Sequence, residues 1–215
     1  MAVSVQKFTF NPFQENTYVL FDESNEAIII DPGCYEQSEK EVLKAFINEN
    51  GLNPVKLLNT HGHIDHVLGN SFVKKEFNLK LTIGKKDLKT LESVTAYAAN
   101  YGFPMYAPAA ADVFIEEGDL IDFGNSQLEV IFLPGHAPGH LAFYNTEQNI
   151  CIGGDVLFEG SIGRTDLPGG DFDTLIDSIK SKLFKFADEM VVYPGHGNST
   201  TLGQEKHSNP FCAIY

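Results

Sequence analysis

The stretch Thr60-His61-Gly62-His63-Ile64-Asp65-His66 constrains this chain more than any other. It places three histidines and one aspartate within six residues, directly after Val55 to Leu58, an apolar run that reads as a strand. Imidazole and carboxylate are the donors a Zn²⁺-like ion takes. In extended backbone, residues two apart point the same way, so His61 and His63 grip one ion from one side. Gly62 lets the backbone pass closely between them, while Asp65 and His66 lie past a bend and aim elsewhere. The pattern predicts two ions side by side, and it predicts further ligands downstream. A loop rich in histidine by chance would bring no such partners.

The partners are there. Pro134-Gly135-His136 follows the strand-like run Gln127 to Leu133, and Gly154-Asp155 follows Asn149 to Gly153. Pro194-Gly195-His196 follows Met190 to Tyr193. Ligands set at strand ends along one sheet edge are held by a rigid scaffold, which a metal site needs. Grouped by chemistry, one ion takes His61, His63 and His136, and the other takes Asp65, His66 and His196. Asp155 offers two oxygens and is suited to bridge. Five of the seven histidines are thereby used. His140 reads as a core histidine or a group behind a ligand, and His207 as a surface residue. Asp31 closes the run Ala27 to Ile30 before Pro32-Gly33. It is either a turn-former or a group behind the metals, with the second preferred.

Between these anchors, Val3 to Phe10 and Thr17 to Phe21 read as strands. Ser38-Glu39-Lys40-Glu41 has capping-box form and opens a helix carrying Val42, Leu43, Phe46 and Ile47, which Gly51 ends. Leu68 to Phe77 reads as a helix, Leu79 to Ile83 as a strand, and Lys85 to Asn100 as a helix with Leu88, Leu91 and Val94 on one side. Val113 to Ile115, Leu120 to Phe123 and His140 to Asn145 are further strands. Asp173 is expected to cap a helix bearing Leu175, Ile176, Ile179 and Leu183. Met105 to Ala110 is either a wall or lid over the site or a plain connecting loop. Two strand-rich blocks, each followed by helices, predict layered α/β with helices outside. Without a linker or internal repeat, a single domain over residues 1–215 is expected.

A net charge of −14 argues against nucleic acid or an anionic membrane as partner. The expected partner is a small-molecule substrate, bound by a monomer or a small homo-oligomer. Met1 to Lys7 has no charged region followed by an apolar run, and no stretch approaches membrane-spanning length. Cys34, Cys151 and Cys212 lack Cys-x-x-Cys spacing. They fit small buried hydrophobes in a reducing, cytoplasmic setting.

The order His-x-His-x-Asp-His, Pro-Gly-His, Gly-Gly-Asp, Pro-Gly-His resembles the metallo-β-lactamase fold superfamily over nearly the whole chain. Within it the chain is most similar to the glyoxalase II (hydroxyacylglutathione hydrolase) group, through Asn11 to Tyr18, Gly153 to Phe158 and Gly163 to Asp171. The resemblance implies a four-layer αββα sandwich with two metals at one edge, and the same ligands residue by residue. Full-length glyoxalase II enzymes append a helical domain that contacts glutathione. This chain stops at Asn209 to Tyr215, and so resembles the short, bacterial-type glyoxalase-like proteins. Arg164, the single arginine, stands where relatives carry a basic residue that holds the substrate's carboxylate. A salt bridge to Asp166 or Asp171 is the other reading of it.

Two cations sharing one water lower its pKa toward neutrality, so a metal-bridging hydroxide attacking a carbonyl carbon is the expected chemistry. A thiolate leaves with little protonation, which suits thioesters, S-lactoylglutathione-like hydroxyacyl compounds first. Asp65 is the expected catalytic residue, orienting the nucleophile and taking its proton. Zinc is the expected metal, with iron and manganese as possible occupants. The alternatives are a persulfide dioxygenase with one iron, a hydrolase of another ester or a lactone, and a non-catalytic binding protein. The segment Pro194-Gly195-His196-Gly197-Asn198 resembles the hydrolase form. β-Lactamase activity is not expected, because no secretion signal is visible.

Overall fold

Side-chain alternation along the strands sorts the apolar residues onto opposite faces of two sheets. The computed structural model describes residues 2–214; Met1 and Tyr215, the outermost residues of the two terminal stretches read above, lie outside the described residues. Strands β1 (Ser4–Phe10), β2 (Glu15–Phe21), β3 (Glu26–Ile30), β4 (Asn53–Leu58), β5 (Leu81–Gly84) and β6 (Val113–Ile115) form one six-stranded sheet in that order. The pairs from β1 to β3 are antiparallel, and those from β3 to β6 are parallel. Parallel neighbours need crossovers. These are supplied by α1 (Gln37–Glu49), by α2 (Ile64–Val67) with α3 (Asn70–Glu76), and by α4 (Leu88–Tyr97).

The second sheet contains β7 (Leu120–Phe123), β8 (Ser126–Phe132), β9 (Leu141–Asn145) and β10 (Ile150–Gly154), then β13 (Val191–Pro194) and β14 (Thr200–Thr201). Its order is β14-β13-β10-β9-β8-β7. Between β10 and its parallel partner β13 come the hairpin β11 (Leu157–Phe158) with β12 (Ser161–Ile162), and α5 (Phe172–Asp177). Helix α6 (Leu202–Ser208) follows β14.

Tyr18 and Leu20 of β2 and Ile28 and Ile30 of β3 face Phe143 of β9 and Ile150 and Ile152 of β10, forming the core between the sheets. The alternate residues Val19, Ala27 and Ile29 pack outward against Leu43 and Ile47 of α1 and Leu91 and Val94 of α4. On the far side, Ala142 and Cys151 pack against Leu175 of α5 and Leu202 of α6. This is the period-two logic of a strand buried on both faces, and it produces an αββα sandwich. No helix among the described residues is long and apolar enough to cross a membrane.

The expected strands all appear, with ends shifted by at most two residues. The helix starts differ more. Glu36, not Ser38, is the N-cap of α1, with Tyr35 N and Glu36 N both donating to Glu39 Oε2 (2.8 and 3.0 Å). Asp171, not Asp173, caps α5 by accepting from Thr174 N (2.7 Å); Asp173 lies in the first turn. The helix read over Leu68 to Phe77 is divided: α2 begins earlier, at Ile64, and Gly69 separates it from α3 by donating its N–H to Pro32 O (2.7 Å). The helix read over Lys85 to Asn100 has tighter 3₁₀ turns at both ends, Lys85–Asp87 and Ala98–Tyr101.

Candidate metal centre

All the strands that carry candidate ligands end at one edge. The C-terminal ends of β3 and β4 point there from the first sheet, and those of β8, β10 and β13 from the second. The sheets are joined at this edge by Asn16 N donating to Gly195 O (2.7 Å) and Leu141 N to Thr60 O (2.8 Å). Tyr18 Oη adds a bond to Pro194 O (2.7 Å). Gly195 is required here: a Cβ would meet His66 Cε1 at 2.6 Å and press on Asp155 Oδ1.

The seven candidate ligands come together in two adjoining groups. His61, His63 and His136 form one, and Asp65, His66 and His196 the other. Asp155 lies between them. Its Oδ1 is 3.4 Å from His66 Nε2, and its Oδ2 is 3.5 Å from both His136 Nε2 and His196 Nε2.

The hydrogen-bond partners decide which ring nitrogens are free to ligate. Thr60 Oγ1 donates to Asp31 Oδ2 (2.6 Å), so it accepts from His61 Nδ1–H (3.0 Å) and leaves the Nε2 lone pair facing inward. His136 Nδ1–H donates to Arg164 O (2.7 Å), which leaves its Nε2 3.3 Å from His61 Nε2 and 2.8 Å from His63 Nδ1. His66 Nδ1–H donates to Asp31 (3.1 Å) and His196 Nδ1–H to Phe13 O (3.1 Å). Each of these four rings thus uses one nitrogen on an oxygen and aims the other at the cluster, the arrangement typical of metal-ligating histidines. Facing lone pairs repel one another. His66 Nε2 and Asp155 Oδ1 are buried with no hydrogen-bond partner. A divalent cation satisfies all of these atoms at once, so the residues fit a metal.

Electrostatics agree with the geometry. Burial pushes His61 well below the ordinary imidazole value, reinforced by the rings of His66 and His63. Burial, then His136, brings His63 down to about 4. Burial also works against charge on His66, but Asp155 and Asp65 outweigh it and hold its pKa well above the ordinary value. Burial works to raise Asp155, yet His66 keeps it ionised.

Asp31 plays both of the roles considered for it. Its φ of 49° makes the turn, and its carboxylate accepts from Thr60 N (2.7 Å), Thr60 Oγ1 and His66 Nδ1. His140 is fully buried and stands behind a ligand: its Nε2 accepts from Asp155 N (3.0 Å). His207 is exposed on α6, its Nδ1 3.0 Å from Gly203 O. Arg164 forms the expected salt bridge to Asp166, through Nε and Nη2 (both 2.7 Å), while also lining the cavity over the cluster. Met105 to Ala110 does not line that cavity, and Met105 is 81% exposed.

Two buried carboxylates escaped the sequence reading. Asp87 accepts from Gly62 N, Thr90 Oγ1 (3.0 Å) and Gly139 N (3.1 Å), tying both histidine loops to the start of α4. Burial raises its pKa above the usual carboxylate range. Glu15 is fully buried, 3.9 Å from His66 Nδ1, and burial raises its pKa strongly. Asp87 lies in no motif, and Glu15 lies in the Asn11 to Tyr18 segment without a ligand-like spacing; only the folded chain brings them to the site.

A two-sheet sandwich with paired imidazole and carboxylate clusters along one edge defines a class of metal-binding αββα proteins. The chain belongs to the metallo-β-lactamase superfamily, whose family model matches residues 10–196. It is similar to hydroxyacylglutathione hydrolase GloC of Haemophilus influenzae, at 40% identity over 97% of this chain and 98% of that protein. Among solved structures, the BLEG-1 B3 metallo-β-lactamase superposes with a TM-score of 0.88 at 33% identity, covering 97% of this chain and 99% of that one. TTHA1623, crystallised in a di-iron-bound form, superposes with a TM-score of 0.84 at 39% identity, covering 96% and 100%.

Proposed function

We propose that this chain is a hydrolase of hydroxyacyl thioesters, S-lactoylglutathione-like compounds first, holding two divalent metal ions, zinc foremost. The observation that carries the reading is the Asp155 carboxylate set between two three-residue groups, within 3.5 Å of His66, His136 and His196. His61, His63 and His136 would hold one ion, Asp65, His66 and His196 the other, with Asp155 shared. Bound there, such ions supply Lewis acidity and a water whose pKa falls toward neutrality. Asp65 Oδ2 lies 3.1 Å from His196 Nε2. Burial works to raise Asp65, but His66 and His196 hold its pKa below the usual range, so a carboxylate is available to orient the nucleophile and accept its proton. Arg164 keeps Nη1 for the substrate while Asp166 holds Nε and Nη2. A thiol of ordinary pKa about 8.5 leaves as the thiolate, so the site needs no separate acid. The similarity to GloC over nearly the whole chain supports this substrate class. Three free, buried cysteines favour a cytoplasmic setting.

The di-iron form of a relative makes iron the competing occupant. The deciding experiment is metal identity and stoichiometry on protein purified without added metal, followed by a thioester panel. Two ions per chain, mostly zinc, with lactoyl thioester turnover that Asp65→Ala and Asp155→Ala each lower at least 100-fold, is the expected result. One iron per chain, with oxygen-dependent persulfide consumption, would replace this function by the dioxygenase.

A further inference from the structure

Resting on the two-ion reading above, we infer that the segment Asn11 to Asn16, which joins β1 to β2, serves to retain the second ion alone. It meets all three members of the second group. Asn11 Nδ2 donates to Asp65 O (3.1 Å) and Gly33 O (3.0 Å). Phe13 O accepts from His196 Nδ1 (3.1 Å), and Glu15 Oε1 stands 3.9 Å from His66 Nδ1. The first group is held by other residues. Thr60 fixes His61, the Arg164 carbonyl fixes His136, and Asp87 fixes the Gly62 backbone between His61 and His63.

The turn is locked in place by its own bonds. Asn11 and Gln14 have φ of 52° and 56°, a left-handed backbone in which asparagine is among the best-tolerated side chains. Asn11 Oδ1 accepts from Phe13 N (3.0 Å), and Asn11 O accepts from Gln14 N (3.0 Å). Asn11 N donates to Glu39 Oε1 (2.6 Å) at the start of α1. The Phe13 carbonyl is thereby aimed at His196 by bonds that need no metal.

Asn16 then grips the loop that carries His196. Its buried amide donates both hydrogens, to Pro194 O (3.0 Å) and Gly197 O (2.9 Å), on either side of the ligand. Thr9 Oγ1 donates to Asn16 Oδ1 (3.0 Å), which fixes the way the amide faces, and Asn16 N adds its bond to Gly195 O. Such support matters most where a ligand is otherwise free to swing. The side chains of His196 and Asp65 are 28% and 15% exposed, whereas His61 and His136 are buried. Without the turn, the second group loses its shape while the first keeps its own bonds. Asn11 and Asn16 are therefore positioning residues.

Calorimetric titration of the chelator-stripped chain with Zn²⁺, with elemental analysis of the loaded protein, tests this independently of activity. The unaltered chain should bind two ions. Asn16→Ala and, separately, Asn11→Gly, which keeps the left-handed backbone accessible, should each leave one ion at its original affinity and weaken the other about 10–100-fold. Adding His61→Ala to either should remove the ion that remains. Ile179→Val, in the core on the far side of the second sheet, should keep both ions. Melting curves identify the folded variants, and either turn variant alone decides. Two ions at their original affinities, equal weakening of both, or a remaining ion that survives His61→Ala would overturn the inference and leave the two-ion reading standing. One ion in the unaltered chain would overturn both.

Discussion

Cys34 and Cys151 are fully buried, and desolvation pushes each thiol up from 9.0 to about 12. Between these values the unfolded chain has lost thiol protons that the folded chain keeps. The unfolded state then binds fewer protons, so stability falls as pH rises. This stabilising effect is complete below about pH 8 and declines from 9 toward 12 at about 1.4 kcal/mol per thiol per pH unit. Urea midpoints measured from pH 8 to 11 should show the decline, and Cys151→Ala should make it shallower. Cysteine burial was legible because isolated thiols without Cys-x-x-Cys spacing read as small buried hydrophobes. Burial of Glu15 and Asp87 was not, because a lone carboxylate without ligand-like neighbours reads as solvent-facing until tertiary structure closes over it.

The loop His61 to His63 does not hold its own shape; helix α4 holds it. Gly62 leaves no room for a side chain, since a Cβ would lie 2.5 Å from Leu91 N, and Asp87 binds both Gly62 N and Gly139 N. Asp87→Ala would strand two buried N–H groups and cost about 2–4 kcal/mol. Chemical denaturation would measure that loss. Metal titration should show weakened binding as well, because His61, His63 and the loop leading to His140 move together. Asp87→Asn, which keeps one acceptor, should recover part of both. Strands were the most legible elements, since two-sided burial writes continuous apolar runs such as Ala27 to Ile30. Helix starts were less so: Ser38 and Asp173 have the right chemistry for a cap, but Glu36 and Asp171 occupy the cap geometry. The His/Asp motif was legible for a different reason, because ligands cannot be replaced by residues of similar size.

At the level of the molecule, the candidate ligands come from both sheets, so a bound metal closes one end of the sandwich. Metal should therefore stabilise the whole fold. At a free-ion concentration 100 times Kd, linkage supplies about 2.7 kcal/mol per site. Chelation should lower the melting temperature by roughly 5–10 °C or more in a chain of this size. Calorimetry before and after chelator treatment would check this, and an unchanged melting temperature would argue that the cluster holds no ion. Since every ligand-bearing strand end points the same way, the opposite rim carries turns that chemistry does not need. Glu49, exposed at the end of α1 just before β4 sets out toward the metals, sits on that rim. With all three native thiols buried, Glu49→Cys would give one reactive handle for a dye or a surface linker, and the protein could be tethered with its open end facing solution.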